Sequence, residues 1–256
     1  MGDALFDTIS RIHGDQPWGR VLDAGTGKHS LRWINGLKTD AWTAVTGDPV
    51  RERNLLRELG GTLRPGDQVV TGNWSDDTFL RDEVYDTVLA DYLLGALDGF
   101  APYHQDRLFK RLRPHVGQRI YVVGLQPYPD GIVPGEGHDT EAGRLILEIA
   151  RLRDACILLA GHRCYREYPH DWVVRSLQAS GFRVREAVGV EIIHRQRSID
   201  RQLDVCVRKL KLFRDRGLAT AMQAQIDELR ARATEACKRL DGLRFGSDYI
   251  VAADPV

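Results

Sequence analysis

The sequence has no excess charge of either sign. Its 36 Lys and Arg residues equal its 36 Asp and Glu residues, so the chain as a whole shows no preference for a polyanion. It also lacks an apolar run near the roughly 20 residues that cross a bilayer. The N-terminus has no apolar segment of a signal peptide, and Phe6 stands where a myristoylation signal needs Ser or Thr. These absences predict a cytoplasmic protein that does not enter a membrane.

Cysteines are few, and their spacing is not that of a metal site. The four cysteines form no C-x-x-C pair and have no histidine at metal-ligand spacing; they are Cys156, Cys164, Cys206 and Cys237. A disulfide framework is not expected in a chain of 256 residues. We therefore expect reduced thiols that partly fill the core, and no metal.

Strand-like and helical segments alternate along the first half of the chain. The predicted strands are 20–24, 42–46, 68–71, 86–90 and 119–124, and the helices 3–13, 29–37, 50–59 and 103–113. Such alternation predicts βαβ units and a parallel sheet that is covered on both faces. All strand-to-helix loops then lie at one edge, where ligands bind in open α/β sheets.

The second half of the chain is less regular. The segment 130–139 has the composition of a loop, and helices are predicted at 140–160 and 171–179. A sixth strand follows at about 182–193, then helical periodicity over 199–243 with a break near 216–217, and a last strand at 249–253.

The most informative segment is Val-Leu-Asp-Ala-Gly-Thr-Gly at 21–27, because glycines after a strand allow a tight turn and close approach of a ligand. A phosphate-binding P-loop does not fit, since Leu22 replaces its first glycine and His29 its Ser or Thr. The dinucleotide fingerprint fits poorly, since Ser30 replaces its third glycine. The Asp23 carboxylate would also face the pyrophosphate, an unfavourable pair of like charges.

An anionic strand end suits S-adenosylmethionine instead, which carries a sulfonium and an ammonium and no phosphate. Here the sequence resembles the class I S-adenosylmethionine-dependent methyltransferases, whose first motif is D/E-x-G-x-G after the first strand. The matching residues are Asp23-Ala24-Gly25-Thr26-Gly27. The resemblance implies that Asp23, Gly25, Thr26 and Gly27 bind the cofactor.

Three further loops agree with this resemblance. The family places an acidic residue after the second strand for the ribose hydroxyls, and Asp48 occupies that place, although it also suits a helix N-cap. Asn73 and Trp74, after the third strand, resemble the adenine contacts, with a core role as the alternative for Trp74. Asp91 and Tyr92, after the fourth strand, would lie beside the methionine part, with a turn or cap role as the alternative for Asp91.

The resemblance implies an α/β, Rossmann-like, doubly wound fold with a mostly parallel seven-stranded sheet and helical insertions. We expect a single domain over 1–256, with its core at 14–193 and 245–256. Residues 130–180 would form a helical cap on the substrate side, and 195–244 a helical insertion before the last strand. One feature departs from the family. Its last two strands are usually joined by a short hairpin, whereas here the helical insertion lies between them.

The acceptor pocket is expected beyond the fourth and fifth strands. Direct displacement from a sulfonium needs mainly correct positioning, so a general base is optional. The predicted catalytic residues are His104, as a base, and Tyr103; a surface histidine on an ordinary helix is the alternative for His104. The predicted substrate-binding residues are Tyr92, Phe100 and Tyr128, and the other candidates for the lining are His138, Glu141, His162, Tyr165 and His170. Their aromatic richness favours a small organic acceptor with an O, S or N nucleophile.

Two alternatives stay open. Residues 195–244 carry 13 Lys or Arg against 7 Asp or Glu, which would suit an RNA or tRNA methyltransferase. However, an apolar stripe runs through this segment, which favours a helical cover or a homodimer contact. The segment 90–93 also lacks the [DN]-P-P-[YFW] motif of enzymes that methylate base amino groups. The second alternative is a protein of this fold that binds the cofactor without methylating anything.

Overall fold

The computed structural model describes residues 4–129 and 137–256. Its contacts divide the chain into two compact units. The first comprises Met1–Gln126, Tyr165–Val190 and Asp248–Val256, and the second Pro127–Cys164 and Glu191–Ser247. The strands are β1 (Arg20–Asp23), β2 (Ala41–Thr46), β3 (Gln68–Thr71), β4 (Tyr85–Asp91), β5 (Val116–Leu125), β6 (Phe182–His194) and β7 (Leu243–Pro255). The helices are α1 (Ala4–His13), α2 (Lys28–Gly36), α3 (Pro49–Leu59), α4 (Leu93–Phe100), α5 (Gln105–Leu112), α6 (Glu141–Leu159), α7 (His170–Ala179), α8 (Gln196–Leu210) and α9 (Arg216–Leu240).

The seven strands form one sheet in the order β3-β2-β1-β4-β5-β7-β6. The pairs β1–β2, β1–β4, β2–β3 and β4–β5 are parallel, whereas β7 runs antiparallel to β5. The predicted α/β, mostly parallel seven-stranded sheet is therefore confirmed. Because the strand order reverses between β1 and β4, a crevice is expected at their carboxyl ends.

Helices cover both faces of the sheet, as the alternation of strands and helices predicts. Adjacent strand residues point to opposite faces. Val88 and Ala90 belong to the cluster that includes Leu108 of α5, whereas Leu89 packs in the cluster with Phe6 and Ile9 of α1. All six side chains are buried. This core holds the carboxyl ends of the parallel strands in register.

The helix α4 is absent from the sequence-based prediction. Its buried residues include Leu93, Leu94, Gly95 and Leu97, so no polar face alternates with an apolar one. Two glycines, Gly95 and Gly99, weaken its helical propensity further. The predicted helix at 103–113 is also shorter in the structure, because α5 begins only at Gln105.

The division into units differs from the predicted domain boundaries at α7. The predicted cap at 130–180 included this helix, whereas α7 belongs to the first unit. Val173 and Leu177 are fully buried in the same cluster as Leu112 of α5, which explains the difference. The predicted loop at 130–139 lies mostly outside the described residues.

The second unit is built around α6, α8 and α9. The apolar stripe predicted over 195–244 is mostly buried there, and Leu203, Ile226 and Ala233 pack in one cluster with Ile149 of α6. The stripe is therefore covered within its own unit. The four cysteines are free thiols in this unit, and Cys156, Cys206 and Cys237 are buried.

Within the part of the chain that the structure describes, no helix combines the length and apolarity needed to traverse a bilayer.

Candidate functional site

A cavity of about 280 Å³ lies in the first unit at the carboxyl ends of β1, β2, β3 and β4. Its volume is near the lower end of the roughly 300–1,000 Å³ typical of small-molecule sites. The lining residues are 24–27, 45–47, 51, 72–74, 91–93, 96, 97, 100, 165 and 167. All four loops that the sequence singled out thus reach one cavity, at the position where open α/β sheets bind ligands.

The loop after β1 is fixed by backbone hydrogen bonds to its neighbouring strands. Ala24 N–H donates to Leu89 O at 2.8 Å, and Thr26 N–H donates to Val45 O at 2.7 Å. A Cβ on Gly25 would stand 2.7 Å from Leu93 Cδ1, so any larger residue here would force the Leu93 side chain of α4 to shift. The predicted residues Gly25, Thr26 and Gly27 all line the cavity.

Asp23, a predicted cofactor-binding residue, ends β1 just before this loop and is not among the residues that line the cavity. Its side chain is fully buried, and burial raises the pKa of Asp23 to about 6. Neither carboxylate oxygen accepts a well-aligned hydrogen bond. The nearby Ser30 and Thr26 hydroxyls lower the pKa only in part. The carboxylate is thus mostly ionised at neutral pH and held below the cavity floor.

The loop after β2 contributes Thr46, Gly47 and Arg51 to the cavity, but not Asp48. Asp48 is the N-cap of α3, and its Oδ1 accepts a hydrogen bond from Val50 N–H at 2.8 Å. The capping alternative is therefore observed. Sequence reasoning missed Arg51, which lies one turn into α3 as an ordinary exposed arginine.

The loop after β3 brings both predicted residues to the cavity, with their polar groups already engaged. Asn73 Nδ2 donates to Phe100 O at 2.8 Å, and its Oδ1 accepts from Ser75 N–H at 3.0 Å. Trp74 is buried, and its Nε1 donates to Ala24 O at 2.6 Å. These contacts hold Asn73 and Trp74 in the wall of the cavity.

Asp91 and Tyr92, after β4, both line the cavity. Tyr92 is the N-cap of α4 and has φ = 47°, a left-handed conformation that is uncommon for a bulky residue and often found at functional sites. Burial, followed by the neighbouring Asp248, raises the pKa of the Tyr92 phenol far above its ordinary value. The Tyr92 hydroxyl therefore stays protonated and acts as a hydrogen-bond donor.

A segment in which the sequence singled out only Tyr165 completes the wall. Residues 165–168, hereafter the strap, lie against α4, where Gly95 and Gly99 leave room: a Cβ on Gly95 would stand 3.1 Å from Glu167 Oε2. Arg166 N–H donates to Asp98 Oδ2 at 2.8 Å. Tyr249 OH donates to Tyr168 O at 2.8 Å. The strap thereby adds the Tyr165 ring and the Glu167 carboxylate to the lining.

The two predicted catalytic residues are not brought to the cavity. Tyr103 is 81% exposed and His104 is the N-cap of α5, because the chain turns away from the cavity after Phe100. Phe100 itself lines the cavity, as does Tyr165. Only their proximity in sequence to the fourth strand had suggested Tyr103 and His104.

The remaining candidates for the acceptor pocket lie elsewhere. Tyr128 and His138 pack on Phe245 in the second unit, at ring-centroid distances of 5.4 and 5.7 Å. In the same unit Glu141 pairs with Arg239, and His162 contacts Lys209. In the first unit His170 begins α7 and pairs with Asp171. None of these side chains belongs to the cavity lining.

The charged side chains that line the cavity are Arg51, Asp91 and Glu167, with the buried Asp23 beneath. The lining thus carries one negative charge in excess and selects for a ligand that bears positive charge. Across residues 4–129 and 137–256, no group of three or more His, Cys, Asp or Glu side chains could hold a metal ion.

Comparison with known proteins gives a match in structure but not in sequence. No protein-family model matches the sequence, and no curated protein matches it. A methyltransferase candidate from Bacillus halodurans C-125 is 13% identical, with 98% of this chain and 99% of that chain covered and a TM-score of 0.58. The YcgJ protein from Bacillus subtilis is 13% identical, with coverage of 98% and 97% and a TM-score of 0.58.

A third solved structure is that of an S-adenosylmethionine-dependent methyltransferase from Geobacter sulfurreducens in complex with S-adenosyl-L-homocysteine. It is 15% identical, with 98% of this chain and 90% of that chain covered and a TM-score of 0.50. At such identities the likeness concerns the fold, and the fold expected from the sequence resemblance is confirmed. The chain has the Rossmann-like fold of the class I S-adenosylmethionine-dependent methyltransferases.

Proposed function

We propose that this chain is an S-adenosylmethionine-dependent methyltransferase that methylates a small organic acceptor. The observation that carries the proposal is the cavity at the carboxyl ends of β1 to β4, whose charged lining is Asp91, Glu167 and Arg51. S-adenosylmethionine brings a sulfonium, an ammonium and one carboxylate. Two carboxylates and one guanidinium complement these groups in number and sign.

The charged side chains of the lining also disfavour the phosphate-bearing cofactors that bind to similar glycine-rich loops. A dinucleotide or a nucleoside triphosphate would bring several negative charges towards Asp91, Glu167 and the buried Asp23. Arg51 is the single basic side chain among the residues that line the cavity. Like charges in a partly desolvated site are unfavourable, so the cavity fits a cationic ligand better.

The residues of this chain have distinct roles in the proposal. The loop at 24–27 offers close backbone approach, Trp74 and Phe100 provide apolar walls, and Asp91 offers an anionic partner for the ammonium. Asp48, between the lining residues Gly47 and Arg51, is the candidate for the ribose hydroxyls, since its N-cap hydrogen bond uses only one oxygen.

The bound cofactor would supply an electrophilic methyl group with a good leaving group, so the chain needs chiefly to hold the acceptor in line. Tyr92, Phe100 and Tyr165 give that part of the cavity an aromatic wall suited to a small acceptor. Tyr92 can donate a hydrogen bond but is unsuited to accept a proton, because its pKa is strongly raised. Glu167 takes the place of His104 as the candidate general base, since it lines the cavity.

Titration calorimetry with S-adenosylhomocysteine tests the cofactor part of the proposal. The full chain should bind it, and Asp91→Asn should weaken binding more than tenfold, whereas the matched change Asp106→Asn, at an exposed position of α5, should not. Tight binding of NAD or ATP with indifference to S-adenosylhomocysteine would overturn the proposal.

Incubation with labelled S-adenosylmethionine and a panel of small alcohols, thiols, amines and carboxylates tests the transfer itself, with mass spectrometry for the added methyl group. Glu167→Gln should leave the affinity for S-adenosylhomocysteine within about threefold and slow transfer about a hundredfold, in the range of a lost general base. Binding without transfer to any of the probes would favour a cofactor-binding protein that does not methylate.

A further inference from the structure

The basic residues of 195–244 fall into two groups. The first group consists of five arginines that form ion pairs. Arg230 pairs with Asp200 and Asp204, Arg232 with Glu148, and Arg239 with Glu141. Arg195 and Arg244 likewise pair with Asp241 and Glu191. The other eight bases of the segment form no ion pair with a described residue, and three of them, Arg197, Arg201 and Lys238, lie apart from the remaining five.

Those five unpaired bases are concentrated at one end of the helical unit. Arg208, Lys209, Lys211, Arg214 and Arg216 form no ion pair with any described residue, and the acid among them, Asp215, caps α9 by accepting from Leu218 N–H. Lys209 Nζ lies 2.6 Å from His162 Nδ1, which joins this segment to the end of α6. We call residues 158–163 and 208–216 together the basic end.

Large apolar side chains are exposed among these bases. Leu158 and Leu159, the last residues of α6, are 62% and 50% exposed, and Leu212 is 54% exposed. In the same turn Phe213 is buried in the core of the unit, so the turn that presents Leu212 is anchored from within. Exposed leucines that neighbour lysine and arginine in the sequence are the composition of a surface that inserts into an anionic membrane interface.

We propose that the basic end is a peripheral binding site for anionic lipid bilayers, with the leucines entering the headgroup region and the bases facing lipid phosphates. Each Lys or Arg near such a surface strengthens binding about fivefold. The five unpaired bases therefore supply the electrostatic part, and the three leucines the apolar part. This assignment is independent of the reaction at the cavity.

Two other occupants fit the basic end less well. A nucleic acid would be met by the bases, but it gives the exposed leucines no partner, and no exposed Phe, Tyr or Trp of 158–163 or 208–216 is available for base stacking, since Phe213 is buried. A second copy of the chain would place five unpaired bases against five others across a two-fold axis, an unfavourable arrangement of like charges.

Co-sedimentation of the full chain with vesicles tests the proposal. The chain should bind vesicles of phosphatidylcholine with one quarter phosphatidylglycerol, and binding should fall at least tenfold on pure phosphatidylcholine. Lys211→Glu with Arg214→Glu should lower binding more than tenfold. Leu158→Ser with Leu212→Ser should lower it several-fold at constant charge, and circular dichroism should show that each variant remains folded.

The matched control is Arg201→Glu with Lys238→Glu, which changes the net charge equally. Both are exposed bases without an ion pair among the described residues, and they lie towards the other end of α8 and α9. Their reversal should change binding by less than threefold. Equal losses in the two double variants, or no binding to the anionic vesicles, would overturn the proposal. The proposal would also be overturned if the chain bound a 30-nucleotide RNA but not vesicles, and if the Lys211 and Arg214 changes abolished that binding. A dimer that dissociates in the leucine variant would overturn it as well.

Discussion

Trp74 donates its indole N–H to the carbonyl oxygen of Ala24 at 2.6 Å and thereby ties the loop after β3 to the loop after β1. Both residues are buried, and both line the cavity. Because Ala24 immediately precedes Gly25, this single hydrogen bond sets the distance between two walls of the proposed cofactor site.

Trp74→Phe removes this hydrogen bond and keeps an aromatic ring in the core. We expect the free energy of unfolding to fall by about 1–3 kcal/mol more than the smaller side chain alone would cause, because a buried carbonyl oxygen is left without its donor. Trp42→Phe is the matched control, since Trp42 is equally buried but its Nε1 has no partner among the described residues. Urea unfolding should show a larger loss for Trp74→Phe, together with weaker binding of S-adenosylhomocysteine. Equal losses would show that the hydrogen bond is unimportant.

Asp23→Asn should stabilise the protein at neutral pH. The pKa of Asp23 rises from 3.8 to about 6 on burial, so the folded state binds the proton more tightly than the unfolded state. As the pH rises from about 4 to about 6, the Asp23 carboxyl therefore lowers the free energy of unfolding by about 3 kcal/mol in total. Urea unfolding at pH 4.5 and 7.5 should show the gain of Asp23→Asn mainly at the higher pH.

The same substitution should weaken binding of S-adenosylhomocysteine, because the negative charge beneath the cavity is lost. Stability and binding would then change in opposite directions, as expected of a charge retained for function. A variant that loses stability at pH 7.5, or that gains it equally at both pH values, would contradict the raised pKa.

Much of the fold follows from local patterns that the sequence displays directly. The strands at β1, β2 and β3 are short apolar runs bounded by turn residues, and their predicted limits agree with the structure within about two residues. The four loops of the site could be found because each immediately follows a strand, so that parallel topology alone brings them to one edge.

The rest depends on contacts between distant parts of the chain. The strap reaches the cavity only because Gly95 and Gly99 of α4 leave space for it, and nothing in the sequence around 165–168 reports that space. Tyr103 and His104 lie outside the cavity lining for a related reason, since they follow helix α4, which the sequence did not predict. Helix α4 itself was missed because it is apolar nearly all round.

Gly25→Ala and Gly27→Ala should separate packing from ligand access. A Cβ on Gly25 would stand 2.7 Å from Leu93 Cδ1, so we expect overpacking to lower the free energy of unfolding by about 1–3 kcal/mol. A Cβ on Gly27 would meet only Arg51 Nη2 at 3.5 Å, an ordinary contact, so stability should change by less than about 1 kcal/mol. Because Gly27 lines the cavity, its added methyl group should instead reduce affinity for S-adenosylhomocysteine. Similar stability losses in both variants would contradict the observed packing.

Asp98→Ala should release the strap from α4. Asp98 Oδ2 accepts from Arg166 N–H at 2.8 Å, and its Oδ1 accepts from Gln105 Nε2 at 3.1 Å, so both contacts are lost together. Loss of one charge-assisted hydrogen bond should speed amide exchange at Arg166 about tenfold or more and expose the bond after it to trypsin.

The control for this variant is Asp106→Ala, which removes an exposed carboxylate from α5 and leaves the hydrogen bond from Arg166 N–H to Asp98 in place. Since the strap carries Glu167 into the cavity, Asp98→Ala should also slow methyl transfer while binding of S-adenosylhomocysteine changes little. Faster exchange with unchanged transfer would mean that Glu167 keeps its place without the tether or takes no part in the reaction. Unchanged exchange would show that the strap is held by other contacts, of which the hydrogen bond from Tyr249 OH to Tyr168 O is the first to remove.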